Sequence, residues 1–206
     1  EKALHLVYSQ FRTLEGIGVF QLVLEANGFV QFKLKRDELG EWMLDIKPED
    51  MQKQKYCLYT GTESAEEKEM MRNIFNSDWE GIPTKIKENL IKEGLNNNIN
   101  GEVIKLLMIT ASGAEGISLK NVRFVHITES YWHPVRFDQV VGRARRICSH
   151  AALPIDLQTV DVFMYLTVFT EEILKRAKTE AVELLTNDKS KLKPKLIYTS
   201  DEALYE

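Results

Sequence analysis

Six short apolar runs punctuate the sequence: LHLVYS at 4–9, FVQFKL at 29–34, KYCLYTG at 55–61, VIKLLMIT at 103–110, VRFVHI at 122–127 and TVDVFMYLTVF at 159–169. Each is rich in β-branched, aromatic or aliphatic residues, which predicts a strand. Most stretches between them are far too long for a hairpin and carry apolar residues at helical spacing. That alternation predicts an α/β fold, a mostly parallel sheet with helices on both faces. Such a sheet places its working loops at the carboxyl ends of its strands, so the loops after Ser9, Thr60, Thr110 and Ile127 are the ones to inspect.

Local signals place the helices. Leu14, Ile17, Val19, Phe20, Val23 and Leu24 recur at helical spacing, with Asn27 and Gly28 as the stop. Ser64 followed three positions later by Glu67 forms a capping box and predicts a helix from about Ala65. Pro83 opens another, in which Ile86, Leu90 and Ile91 share a face, and Gly94 with the asparagines 96 to 98 ends it. Pro134 stands near the first turn of a helix over 135–146, and a last helix through Leu185 closes the core. The stretch from 35 to Pro48 reads as a loop or small insertion around Trp42, Met43 and Leu44. Residues 1–185 form one domain on this reading, and 186–206 a loosely packed tail or linker.

Composition narrows the function. A hydrophobic content of 44% with 28% charged residues is that of an ordinary globular chain. Apolar runs stay well short of the roughly 20 residues that span a bilayer, so no membrane partner is expected and the chain reads as intracellular. Cys57 and Cys148 belong to no CxxC motif, and His5, His126, His133 and His150 show no ligand spacing, so no metal site is expected. The opening Glu, with a strand pattern beginning almost at once, suggests a piece of a longer protein.

Two stretches carry the candidate chemistry. ITASGAEGISL combines Gly113 and Gly116 with Thr110, Ser112 and Ser118, which lets backbone N–H groups approach a phosphate. No G-x-x-x-x-G-K-[ST] occurs anywhere, so the chain cannot cradle a triphosphate through a phosphate loop of its own. In FDQVVGRARRICSH, Gln139, Arg143 and Arg146 share one helix face while Arg145 points elsewhere. A solvated helix face is the ordinary meaning of such a pattern. Against it stand the fixed charge and planar donor fork of arginine, suited to phosphate oxygens, and a position from which helix and glycine-rich loop are expected to converge at the sheet's carboxyl edge.

These stretches resemble known motifs. QVVGRARR is similar to the Q-x-x-G-R-x-x-R of motif VI in superfamily 2 helicases, and TASGAEGISL to their motif V. WHPVRFDQVVGRARRI resembles the corresponding stretch of Swi/Snf-type ATPases at Trp132, Pro134, Gln139, Arg143, Ala144, Arg146 and Ile147. LVYSQF resembles their motif IV strand and YTGTESAEEK their glycine-serine turn, in the expected order over 4–147. The pair SGAEGISLKNVRFVHI and YWHPVRFDQVVGRARRICSH is most similar to helicase-like proteins of nucleocytoplasmic large DNA viruses. His133, Phe137 and the CSH that replaces a Gly-Gln ending depart from the remodeller pattern, so nucleosome remodelling does not carry over. Residues 77–102 look like an insertion relative to that family.

The resemblance implies the second of two RecA-like lobes, of the P-loop NTPase fold but lacking a Walker A loop. ATP and Mg2+ would be held mainly by an N-terminal lobe of the same parent protein. Arg143 and Arg146 would serve as arginine fingers. Gln139, Gly142, Gly116 and Glu115 would lie against the nucleotide, and Ser9, Gln10, Thr60, Gly61, Thr110 and Ser112 against a DNA or RNA backbone. It also implies ATP-driven translocation or unwinding in viral transcription or genome handling, in the virion or host cytoplasm, with viral transcription machinery as a partner and no turnover by the isolated chain. Two other classes stay open at this point: a non-catalytic nucleic-acid or protein-binding module, and a nucleotide-sugar or other α/β transferase.

Overall fold

The computed structural model describes residues 2–13, 16–111, 116–129, 135–173, 175–176, 199 and 201. Six strands, β1 (Leu4–Tyr8), β2 (Val30–Gln31), β5 (Lys55–Tyr59), β6 (Leu106–Ile109), β7 (Val122–Ile127) and β8 (Asp161–Met164), form one sheet in the order β2-β5-β6-β1-β7-β8. Every pairing in it is parallel. The chain therefore crosses the sheet's length between consecutive strands, and helices ride on both faces, as the alternation of runs predicts.

One face is covered by α1 (Ile17–Ala26), whose Ile17 and Leu24 pack on Val7, Tyr56, Leu106 and Met108. On the other lie α2 (Ala65–Phe75), α3 (Thr84–Lys92) and α4 (Val135–Ala144). They bury Met71, Ile74, Phe75, Ile86, Leu90, Val140 and Ala144 against Leu4, Leu6, Cys57, Leu107, Val125 and Ile127. The caps are those the sequence signals: Ser64 Oγ accepts the Glu67 N–H at 3.2 Å, and Gly28 and Gly94 end α1 and α3 with positive φ.

FVQFKL is not one strand. Val30 and Gln31 pair with β5, the chain leaves the sheet after Phe32, and β3 (Leu34–Arg36) pairs antiparallel with β4 (Trp42–Leu44). Asp37 makes the turn, its carboxylate accepting the Leu39 and Glu41 N–H groups at 3.0 and 2.9 Å, and Gly40 supplies a φ of +80°. The segment expected as a loop is thus half of a hairpin that tucks Leu34 and Leu44 into the main core. β6 and β8 are shorter than their apolar runs, and of the closing helix only 171–173 and 175–176 are described as helical, the rest to Leu185 lying outside the described residues.

The fully buried Asn98 explains where β6 begins. Its Nδ2 donates to the carbonyls of Phe75 (3.0 Å) and Ile104 (3.1 Å), and its Oδ1 accepts the N–H groups of Val103 (2.8 Å) and Ile104 (2.9 Å). One amide thereby satisfies four bonds that would otherwise be lost in an apolar interior. Asn98→Ala should cost about 3 kcal/mol or more in urea unfolding, because backbone groups are left buried and unpaired.

On the α1 face, beyond the helix, the rings of Phe124, His5, His126, Phe163 and Tyr165 stack from strand to strand. Tyr165 Oη lies 2.8 Å from His126 Nδ1, and His126 Nε2 lies 3.0 Å from His5 Nδ1. Burial, then neighbouring His126 and Lys105, pull the His5 pKa down to about 4. The folded chain thus binds fewer protons than the unfolded chain between pH 6.5 and 4, so this contribution is intact above pH 6.5 and lost as pH falls through that window. Discounted for the water that reaches the ring, the expected loss is about 1–2 kcal/mol, and His5→Phe should flatten the pH dependence of the urea midpoint there.

Candidate functional site at the two edges of the sheet

Each of the four central strands ends on a hydroxyl residue: Thr60 after β5, Thr110 after β6, Ser9 after β1 and Thr128 after β7. In sheet order they form a row along the carboxyl edge. Ser9, Thr60 and Thr110, expected against a nucleic-acid backbone, are brought together here. Thr128 joins them, its Oγ1 donating to the Tyr8 carbonyl at 3.1 Å. The pattern was available in the sequence, where each of these runs is followed by Ser or Thr.

Two carboxylates hold this row. Glu129 accepts the Ser9 hydroxyl through Oε1 and the Gln10 N–H through Oε2, the latter at 2.9 Å. Glu63 accepts the Thr60 N–H at 2.6 Å and its hydroxyl at 3.0 Å, with the Thr62 hydroxyl at 3.1 Å. Ser9 and Thr60 are buried and Gly61 is exposed beside them. Gln10 Oε1 accepts from Arg136 at 3.4 Å, which ties the β1 loop to the first turn of α4. Neither glutamate was singled out in the sequence, because Glu129 meets Ser9 across 120 positions and leaves no local trace.

The arginines lie elsewhere. α4 enters from the carboxyl edge and runs back antiparallel to β7, so its end stands at the amino edge. The Arg143 carbonyl accepts the Leu119 N–H at 3.2 Å, the Ser149 carbonyl accepts the Asn121 N–H at 2.8 Å, and His150 Nε2 is 2.6 Å from the Val122 carbonyl. Leu119, Asn121 and Val122 lead into β7. The expectation that helix and glycine-rich loop converge at the carboxyl edge is therefore corrected: ten helical residues advance about 15 Å, most of a strand's length. The stretch 116–121 leads into β7 and meets α4 at Leu119 on the same edge. Its Ser118 carbonyl and Lys120 N–H are held by the side-chain amide of Asn76, just past α2, at 2.9 and 2.8 Å.

At the amino edge Arg145 and Arg146 line a groove of about 770 Å³ with Cys148, Ser149, His150, Gln158 and Thr159. Arg143 is half-buried, and its Nε is buried with no hydrogen-bond partner among the described residues. Among those residues none of the three arginines makes an ion pair. Gln139 is exposed on α4, three to four residues before Gly142 and Arg143. A Cβ built at Gly142 would meet no atom within 4 Å, so the fold of the chain does not itself demand glycine there. Gly116 has a φ of +74°, the left-handed backbone that favours glycine. Ser112 and Glu115 lie outside the described residues. What is assembled is an open groove lined by Arg145 and Arg146, which make no ion pair among the described residues and can receive an anion of phosphate type, with Arg143 on the last turn of α4 and outside the groove's lining.

The chain is similar to several known proteins. Residues 81–148 match the model of the helicase conserved C-terminal domain. The chain is 29% identical over 197 residues to the mimivirus protein named "Putative ATP-dependent RNA helicase R350", covering 93% of this chain and 20% of that protein. It is 38% identical over 119 residues to a "Termination factor NPH-I homolog" of African swine fever virus, covering 58% of this chain and 14% of the relative. The chain thus spans a fifth or less of the length of these relatives. Among solved structures, the C-terminal part of the Fun30 ATPase domain overlays with a TM-score of 0.48 at 12% identity, covering 98% of this chain and 44% of that one.

The carboxyl edge yields its own expectation. Glu129→Ala removes the acceptor of the Ser9 hydroxyl and the Gln10 N–H, so it should lower stability by about 1–2 kcal/mol and speed amide exchange at Gln10, while Glu129→Gln retains part of both. Urea unfolding with hydrogen exchange checks it.

Proposed function

With a helicase conserved C-terminal domain matched over 81–148, we propose that this chain is the second RecA-like lobe of a nucleic-acid-dependent ATPase of superfamily 2. The observation that carries the proposal is the cluster of arginines at the open groove of the amino edge, without ion pairs among the described residues and separate from the hydroxyl row at the carboxyl edge. In this reading the two edges have two ligands. The amino edge faces a nucleotide held by a preceding phosphate-loop lobe, which is not contained in these residues. The carboxyl edge faces a DNA or RNA backbone.

Arg143 and Arg146 act as the finger pair, with Gln139, Gly142, Gly116 and Glu115 beside the nucleotide. A guanidinium with an unbonded, buried Nε and a neighbour free of ion pairs fits a γ-phosphate, whose charge spreads over its oxygens during transfer. ATP and Mg2+ would be held mainly by the preceding lobe, as the resemblance to superfamily 2 motors implies. Bound ATP supplies the phosphoryl group; this chain supplies fixed positive charge and excludes no water by itself.

In this reading Ser9, Gln10, Thr60, Gly61, Thr110 and Ser112 face phosphate oxygens rather than base edges, so the strand is tracked without regard to its sequence; Ser9, Gln10 and Thr60 give hydroxyl or N–H groups to Glu129 and Glu63 in the chain alone, so a phosphate oxygen takes the place of a carboxylate there. A net charge of −4 limits the affinity of this piece alone. The names of the viral relatives, an ATP-dependent RNA helicase and a termination factor homolog, support the proposal of a role in viral transcription or genome handling; the host cytoplasm or virion as its place and the viral transcription machinery as its partner are further parts of the same proposal. Residues 1–185 form the lobe, 77–102 its insertion and 186–206 a linker.

The test is strand-stimulated ATP hydrolysis by the full polypeptide that carries this chain. Arg146→Ala or Arg143→Ala should lower kcat by roughly 10³-fold or more, with the urea midpoint unchanged, and the 206-residue chain alone should turn over no ATP. Undiminished hydrolysis in both variants would mean a passive binding module instead.

A further inference from the structure

The sequence CSH at 148–150 stands where the remodeller-type pattern ends in Gly-Gln, and the structure gives it work at the end of the arginine helix. α4 makes its last helical turn near Ala144, leaving backbone groups of the Arg143–Arg146 turn without intrahelical partners. Ser149 takes two of them. Its Oγ accepts the Arg146 N–H at 3.2 Å and donates to the Ala144 carbonyl at 3.1 Å. To reach back, the chain turns at Cys148 with a φ of +60°, and the Ser149 N–H donates to the Arg146 carbonyl at 3.0 Å.

His150 anchors this turn to the sheet. Its Nε2 donates to the Val122 carbonyl at 2.6 Å, at the first residue of β7, which leaves its Nδ1, 2.8 Å from Ser149 Oγ, as an acceptor that shares the single Ser149 hydroxyl proton with the Ala144 carbonyl. The Ser149 carbonyl meanwhile accepts the Asn121 N–H at 2.8 Å. Ser149 and His150 are 7% and 9% exposed, so these bonds are shielded from competing water, whereas Arg145 and Arg146 between them and the helix are exposed.

We infer that Ser149 and His150 are positioning residues for Arg146: a buried hydroxyl–imidazole latch that fixes the backbone of Arg146 to the start of β7 and thereby holds its side chain over the groove. The inference rests on the function proposed above. A long side chain on a frayed helix end samples many placements, and only one of them meets charge that develops during transfer. Loss of the latch should therefore be felt in the rate of the chemical step more than in ground-state nucleotide binding.

The experiment compares Ser149→Ala, Ser149→Thr, His150→Ala and Arg146→Ala in the full polypeptide, reading kcat and KM for ATP with a saturating single-stranded oligonucleotide. Amide exchange at Arg146 and the urea midpoint are read on the same proteins. The expected result is a fall in kcat of roughly 10- to 100-fold for Ser149→Ala and His150→Ala, with KM changed less than about twofold. Arg146 N–H exchange should quicken with it, and Ser149→Thr should restore most of kcat by returning the hydroxyl. The inference is overturned if Arg146→Ala is inactive while Ser149→Ala keeps the parental kcat. It is overturned equally if kcat falls only in step with the urea midpoint and threonine rescues neither, the mark of a purely structural role. If Arg146→Ala itself hydrolyses ATP at the parental rate, the functional reading fails first and the latch has no reaction to serve.

Discussion

Parallel pairing governs everything else in this molecule. Because all six strands of the sheet point the same way, successive connections have to travel its full length, and the two edges become chemically different places. One edge collects the residues that follow strands, here Thr60, Thr110, Ser9 and Thr128. The other collects the ends of returning helices, here the Arg143–Arg146 turn. The division follows from backbone direction, and side-chain chemistry then furnishes each edge.

One helix spans the divide. α4 runs from the carboxyl to the amino edge, where it and the turn after it are bonded to the stretch 116–121 through Leu119, Arg143, Asn121 and Ser149. Arg136, at the opposite end of α4, reaches Gln10 beside Ser9. The helix that carries the arginines is thus in hydrogen-bonded contact with both ligand-facing edges of the proposed lobe. A shift of α4 along its axis would be registered at both.

Much of the fold was legible because its signals are local. The capping pair Ser64 and Glu67, Pro83, and the glycines at 28 and 94 mark helix boundaries within a residue or two, and apolar runs mark the strands. The β3–β4 hairpin was missed because FVQFKL carries apolar residues at alternate positions through a point where the backbone leaves the sheet; the turn chemistry lay in Asp37 and Gly40, which a loop reading absorbed without assigning a partner. Asn98 looked like one of three asparagines ending a helix, since nothing nearby announces that its amide reaches Phe75 and Ile104. Helical period, carried through to residue 146, put Gln139, Arg143 and Arg146 on one face with Arg145 elsewhere; the helix ends at Ala144, so Arg146 lies past it and lines the groove with Arg145 instead, and period says nothing of which edge a helix ends on. Counting its residues against the length of β7 would have told that.

The row of hydroxyls has one more property. Its members are separated by the spacing between hydrogen-bonded strands, about 4.8 Å, rather than by any side-chain dimension. Thr60, Thr110, Ser9 and Thr128 therefore behave as graduations on a ruler whose pitch belongs to the peptide backbone: exchanging serine for threonine alters how far a graduation protrudes, and leaves where it stands untouched.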